Sequence, residues 1–341
     1  MRFISRISFV LILFAEIMIA TVSYGLTPDQ NEKPKTVVEM FGLIHAKGNQ
    51  IVDKNDKPVA LHGMSLFWSQ WGGKFYNEKC LDWLYNDFHC TVVRAAMGIE
   101  GGGYLVNPER EIEKVFKVID ECIRLGIYVI VDWHDHHAEQ HTEQAKKFFD
   151  LISEKYGDQP NIIYEIYNEP LKISWSQIIK PYAEEIINVI RKNDPDNLIA
   201  VGTPTWSQDV DIAAKDPISD SNIAYVLHFY SSTHKQNIRD KATEAMKNNA
   251  ALFVTEFGIS EANGNGIIDS LETATWMSFI KENKLSTCNW SVIDKKETSA
   301  ALLPDANPEG DWKESDLSES GKFNRNYIRR ENENIFERIM H

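Results

Sequence analysis

From residue 59 onward the chain alternates two kinds of hydrophobic pattern. Short, mostly apolar runs recur at 59–64, 91–97, 128–134, 162–169, 197–203, 223–230, 252–257 and 287–293. Runs this short that stay apolar, rather than alternating apolar with polar, predict strands of a parallel sheet covered on both faces. Between them the apolar residues fall at helical spacing. From Pro108 to Leu125, Ile112, Val115, Phe116, Ile119, Cys122 and Ile123 share one face, and Gly126 supplies the stop. Segments 142–156, 175–193, 234–248, 267–283 and 323–339 behave alike, whereas the pattern near 210–214 is short and poorly defined. Eight strands alternating with helices predict a single-domain α/β fold, a (β/α)8 TIM barrel, over 41–341. A doubly wound sheet is the structural alternative, but it needs fewer strands. Gly101-Gly102-Gly103 lacks the spacing of a phosphate-binding loop and is expected to be a turn.

The N-terminal pattern is different. Arg2 and Arg6 precede an apolar stretch from Ile7 to Ala20 that is interrupted by Ser8 and Glu16, and small residues Ser23 and Gly25 follow. This reads as a secretory signal peptide over 1–25. The stretch is shorter than the roughly 20 apolar residues a spanning helix needs, so no membrane association is expected after cleavage. Residues 26–40 are polar and aperiodic, and a flexible tether is expected there.

Composition narrows the partners. A net charge of −14 disfavours nucleic acid and anionic membranes, which call for a cationic face. Cys80, Cys90, Cys122 and Cys288 lack zinc-site spacing. Cys122 and Cys288 are expected as buried thiols, while a Cys80–Cys90 disulfide is left open.

The candidate chemistry lies where the predicted strands end. Active sites of such barrels form at the carboxyl ends of the strands. Those ends carry Arg94, His134, Asn168-Glu169, His228 with Tyr230, Glu256 and Trp290. One polar or aromatic group in place of a core residue would mean little, but six such ends point to a site. Glu169 and Glu256, ending the fourth and seventh strands, would face each other across the barrel mouth. Two carboxyl groups flanking one bond are what glycoside hydrolysis requires, with a protonated acid on one side and an anion on the other. Glu169 is expected to be the acid/base and Glu256 the nucleophile, kept ionised by Arg94 and Tyr230. Asn168 is placed to hydrogen-bond a sugar 2-hydroxyl.

These residues sit in a series of motifs. Residues 163–170 read Ile-Tyr-Glu-Ile-Tyr-Asn-Glu-Pro. With them go Val93-Arg94-Ala95-Ala96-Met97, Val131-Asp132-Trp133-His134, His228-Phe229-Tyr230, Val254-Thr255-Glu256-Phe257-Gly258 and Asn289-Trp290-Ser291. In this order and spacing they resemble glycoside hydrolase family 5 of clan A, from about Gly42 to Ile328, and in particular its endoglucanase branch. The resemblance implies a secreted, monomeric, retaining endo-β-1,4-glucanase without cofactor or metal, acting on cellulose and related β-glucans. It implies a catalytic subsite of Arg94, His134, Asn168, Glu169, His228, Tyr230, Glu256 and Trp290. Trp71 and Trp206 become stacking platforms, and Lys295 with Glu297 a polar sugar-binding pair, although a solvated charged loop is the plainer reading of that pair. Phe67 stands where relatives often carry a histidine, and Gly98 where they carry an aromatic.

Three other readings compete. Mannan, xyloglucan or xylan are cut by relatives with the same core. An inactive sugar-binding barrel would have lost a carboxylate. His134-Asp135-His136-His137 with His141 nearby invites a metal-hydrolase reading, set aside because the barrel already uses His134.

Overall fold

The computed structural model describes residues 35–340, so the expected signal peptide and most of the expected tether lie outside the described residues. Eight parallel strands close into a barrel: β1 (His62–Leu66), β2 (Val92–Gly98), β3 (Tyr128–His134), β4 (Ile162–Glu165), β5 (Ile199–Val201), β6 (Ile223–Tyr230), β7 (Leu252–Gly258) and β8 (Ser286–Val292). Each pairs with the next in sequence and β8 closes on β1. The outer layer contains α1 (Glu78–Asn86), α2 (Pro108–Leu125), α3 (Thr142–Tyr156), α4 (Lys180–Ile190), α5 (Val210–Lys215), α6 (Gln236–Lys247), α7 (Ser270–Asn283) and α8 (Glu319–Met340). The chain is therefore a (β/α)8 TIM barrel. Every residue of β2, β3, β6, β7 and β8 is buried, as expected for strands covered by side chains inside and helices outside.

Local signals explain the helix limits. Asn107 accepts from the Arg110 amide, Pro108 occupies the first turn, and Gly126 ends α2 with φ 66°. A side chain on Gly126 would meet Thr36 at 2.3 Å. That close approach lets Val38 N donate to Gly126 O at 2.9 Å. Here the expected tether is corrected: residues 37–41 form a one-turn helix capped by Thr36, with Val37 fully buried.

Three other features differ from the sequence-based expectation, and the cysteines settle a pairing the sequence left open. Helix α1, capped by Asn77, was not apparent from periodicity. An antiparallel hairpin, His45–Lys47 with Gln50–Val52, precedes β1. Ala46 N donates to Asn222 Oδ1 at 2.8 Å, tying the hairpin to the amino end of β6. Cys80 and Cys90 are separate buried thiols, as are Cys122 and Cys288. Finally, β4 ends at Glu165, so Asn168 and Glu169 lie beyond it. Their amides still reach Trp133 O and Asp135 O, at 3.2 and 3.3 Å, which holds this segment beside the end of β3.

Candidate active site

In a strand successive side chains alternate between faces, so a regular β7 would send Thr255 and Glu256 to opposite sides. Both reach the interior because β7 carries an extra residue. Val226 pairs with Phe253 and His228 with Glu256, leaving two residues of β7 opposite one of β6. A bulge of this kind re-aims side chains at the rim of a barrel.

Arg94 is the centre of the floor and is wholly buried. Its Nε and Nη2 donate to Glu165 at 2.7 and 3.0 Å. Nη1 donates to Glu256 Oε2 at 2.9 Å, and Nη2 also reaches Asn168 Oδ1 at 2.6 Å and Asp132 Oδ2 at 2.9 Å. Burial by itself would lower the guanidinium, but Asp132, Glu165 and Glu256 outweigh it and hold Arg94 charged well above its ordinary value. The carboxyls respond unequally. Burial raises Glu165, yet Arg94 and His228 overcome it and leave that group below the usual range. Asp132 is pushed well above the range by burial, against Arg94 and with the help of Glu165, Glu256 and Glu169.

His228 links this floor to the cleft. Nδ1 donates to Glu169 Oε1 at 2.9 Å and Nε2 to Thr255 Oγ1 at 2.9 Å. The Thr255 hydroxyl in turn donates to Glu165 Oε1 at 2.8 Å. Burial lowers His228, but Glu256, Glu165 and Glu169 raise it to about 9. Both ring nitrogens therefore carry protons at neutral pH. His134 is the opposite case. Burial, with Arg94, His136 and His228 nearby, pushes it well below its ordinary value. Its Nδ1 lies 2.6 Å from Asp132 Oδ2, and its ring stacks on Trp290 at 5.0 Å.

Oxygens of Glu169 and Glu256 and a ring nitrogen of His228 all lie within 4.8 Å of one another. Glu256 accepts from Arg94 on one oxygen and from the Tyr230 hydroxyl on the other, at 2.8 Å. These donors do not lower it as expected from sequence. Burial and the neighbouring Glu169 outweigh His228, Arg94 and Tyr230, and the group sits above the usual carboxylate range. Four carboxyls face only two cations here.

The cleft above has two lobes that meet at Glu169 and Tyr230. One, of about 480 Å³, runs past Thr205 and Trp206. The other, of about 290 Å³, holds Trp71, His134, Glu256, Trp290, Lys295 and Glu297. Trp206 and Trp71, one on each lobe, are 44% and 60% exposed. Thr205, Trp206 and Ser207 all have φ between 53° and 59°, and this left-handed run sets the Trp206 ring against the lobe. Lys295 and Glu297 pair with each other on the cleft wall, and the Lys295 ammonium lies 5.6 Å from the Phe67 ring. At Gly98 a side chain would strike Gln70 at 1.7 Å, so Gln70 fills the place of an aromatic.

All twelve residues singled out from sequence are thus on the cleft or directly beneath it. Asp132, Glu165 and Thr255 were missed, and so were Trp68 and His136. The signal for the first two was a charge inside an apolar strand, which burial tolerates only with a partner. Trp68 packs edge-to-face against His134, with ring centroids 4.1 Å apart. His136 lies against Glu169, with Nδ1 3.3 Å from its carbonyl, while His134 points to Asp132, so the two do not converge on one ion.

Known proteins resemble this chain in sequence and fold. The pattern "Cellulase (glycosyl hydrolase family 5)" matches residues 52–296. The chain is 47% identical to endoglucanase Z of Dickeya dadantii, covering 82% of this chain and 64% of that protein. It is 48% identical to endoglucanase A of Evansella cellulosilytica, over 80% and 57% respectively. It therefore spans about three-fifths of the length of these relatives. Among solved structures, the catalytic domain of Thermobifida fusca endoglucanase Cel5A superposes with a TM-score of 0.83 at 34% identity, covering 86% of this chain and 99% of that one. A variant of that domain has been solved with cellotetraose. With two facing glutamates at the mouth of a barrel and this match over most of its length, the chain belongs to glycosyl hydrolase family 5.

Proposed function

We propose that the chain is a secreted endo-β-1,4-glucanase that hydrolyses internal bonds of cellulose and related β-glucans with retention of configuration. The observation that carries this reading is the separation of the two glutamates. One oxygen of each lies within 4.8 Å of the other, which favours the short spacing of retaining pairs, roughly 5–5.5 Å between carboxyl groups, over the roughly 6.5–9.5 Å of inverting ones. A pair spaced for retention leaves no room for a water between carboxyl and sugar, which supports direct attack of one carboxylate on the anomeric carbon.

Glu256 is that nucleophile. Arg94 and Tyr230 fix both its oxygens, and its raised affinity for protons reflects an anion that burial strips of solvent and Glu169 opposes, and that is therefore reactive. Glu169, held by His228 with one edge open to the cleft, protonates the departing glycosidic oxygen. A glycosyl ester on Glu256 results. Glu169, now ionised, takes a proton from water as it attacks the anomeric carbon, and the Glu256 carboxylate leaves. Asn168 commits its Oδ1 to Arg94, which leaves its amide nitrogen for the sugar 2-hydroxyl. No step calls on a metal, since two carboxyls supply acid and nucleophile. Lobes on both sides of the carboxyl pair support internal cleavage, with Trp71 and Trp206 stacking on sugar faces. The pattern of residues 1–25 supports secretion.

A panel of soluble polysaccharides with sizing of the products tests the substrate. Carboxymethylcellulose and mixed-linkage glucan should be cut to short oligosaccharides with a rapid loss of viscosity. Galactomannan cleaved far better than carboxymethylcellulose would contradict the proposal.

A further inference from the structure

His234, on the turn after β6, lines the cleft without entering the proposed cycle. We propose that His234 binds substrate, its Nε2–H donating to an oxygen of the departing glucan chain. This rests on the reading of the site as a retaining glucanase and adds to it a contact on the leaving-group side.

The turn decides which ring nitrogen carries the proton. The amides of Thr233 and His234 both donate to Tyr230 O, at 2.9 and 2.8 Å. In return Tyr230 N donates to His234 Nδ1 at 2.9 Å. An amide can donate only to a lone pair, so Nδ1 is unprotonated and the proton of the neutral ring sits on Nε2. Burial, helped by His228 and Lys241 and opposed by Glu169, pushes the ring down to about 4, so it is uncharged near neutral pH. Trp276 Nε1 donates to His234 O at 2.8 Å, which anchors the same residue through its backbone. The donor is therefore oriented before any sugar arrives.

That donor is unspent. Nε2 has no hydrogen-bond partner among the described residues and is not sealed from solvent. His234 shares the lobe of about 480 Å³ with Glu169, Trp206 and Gln208. Glu256 lines only the lobe of about 290 Å³, so the sugar it attacks belongs there. Glu169 lines both, and the oxygen it protonates joins the contents of the two. The departing chain then occupies the lobe of His234. Trp206 offers that chain an apolar face, which holds a sugar ring without fixing its rotation. A single placed N–H beside it supplies the missing direction.

Steady-state kinetics on two substrates test the contact. Cellotetraose puts sugar in both lobes, whereas 4-nitrophenyl β-cellobioside puts only a nitrophenyl group on the leaving side. His234→Asn keeps an oxygen able to accept from Tyr230 N but has no donor at the Nε2 position. Its kcat/KM should fall about two- to tenfold further on cellotetraose than on the nitrophenyl glycoside, the worth of one neutral hydrogen bond. His234→Gln, whose amide nitrogen extends toward the Nε2 position, should recover part of that difference. In the 15N-labelled wild-type chain, the protonated ring nitrogen of His234 should be Nε2. Equal losses on both substrates would make His234 a prop for Tyr230 and overturn the proposal. A proton found on Nδ1, or no loss on cellotetraose in His234→Asn, would overturn it too. A wild-type chain that cuts neither substrate would instead overturn the glucanase reading, and this contact with it.

Discussion

The barrel buries a histidine at each end, and the two are driven in opposite directions. At the amino end His62, first residue of β1, lies beside Thr287 at 2.8 Å and edge-on to Tyr327. Burial lowers it to about 4. At the carboxyl end His228 is no less buried, yet three glutamates lift it to about 9. Burial therefore does not decide the charge of a histidine here; the company of carboxylates does. The amino end is neutral and serves packing. The carboxyl end gathers more negative charge than its cations balance, a cost in stability that the proposed chemistry explains.

Glu256→Gln probes this contrast with the largest expected effect. The rate of hydrolysis should fall at least about 10⁴-fold, the scale on which loss of a nucleophile acts. Stability to denaturant at neutral pH should hold or rise, since a neutral amide replaces a carboxylate whose charge burial opposes. His62→Ala should do the reverse, leaving the rate per folded molecule intact while lowering stability by about 1–3 kcal/mol as its polar neighbours lose a partner.

Arg94→Ala should destabilise the fold by about 3–5 kcal/mol in chemical denaturation, because Asp132, Glu165 and Glu256 lose their shared cation.

The two histidines also predict opposite pH dependences. His228 binds its proton more tightly when folded, so its contribution is complete below about 6.5 and is lost as the pH rises through about 9. His62 binds its proton less tightly when folded, so stability falls as the pH drops from about 6.5 through about 4. Unfolding measured across pH should lose its alkaline slope in His228→Gln and part of its acid slope in His62→Gln. The smallest effects belong to the rim. Trp71→Ala and Trp206→Ala should raise KM roughly two- to tenfold, the worth of one aromatic contact of about 0.5–1.5 kcal/mol, with kcat little changed.

Much of this contrast was legible in the chain. A polar residue at the end of an apolar run announced Arg94, His134, His228 and Glu256. The runs themselves predicted the parallel barrel, because a strand covered on both faces has no polar phase. What stayed hidden depends on neighbours distant in sequence. Glu165 and Asp132 read as part of their strands until Arg94 is brought between them. The bulge in β7 that turns both Thr255 and Glu256 inward is a matter of register with β6, which no local pattern encodes. The end of β4 at Glu165 was missed because Ile166 and Tyr167 continue the apolar run while the backbone already leaves the ladder. Helix α1 is short, and its apolar face is too brief for periodicity to register.

The spacing of Glu169 and Glu256 is the claim on which the rest depends, and the stereochemistry of the first product reads it directly. Proton NMR during hydrolysis of a cello-oligosaccharide should show the β-anomer appearing first and the α-anomer growing only by mutarotation. An α-anomer released at the outset would mean that water, not Glu256, attacks the sugar.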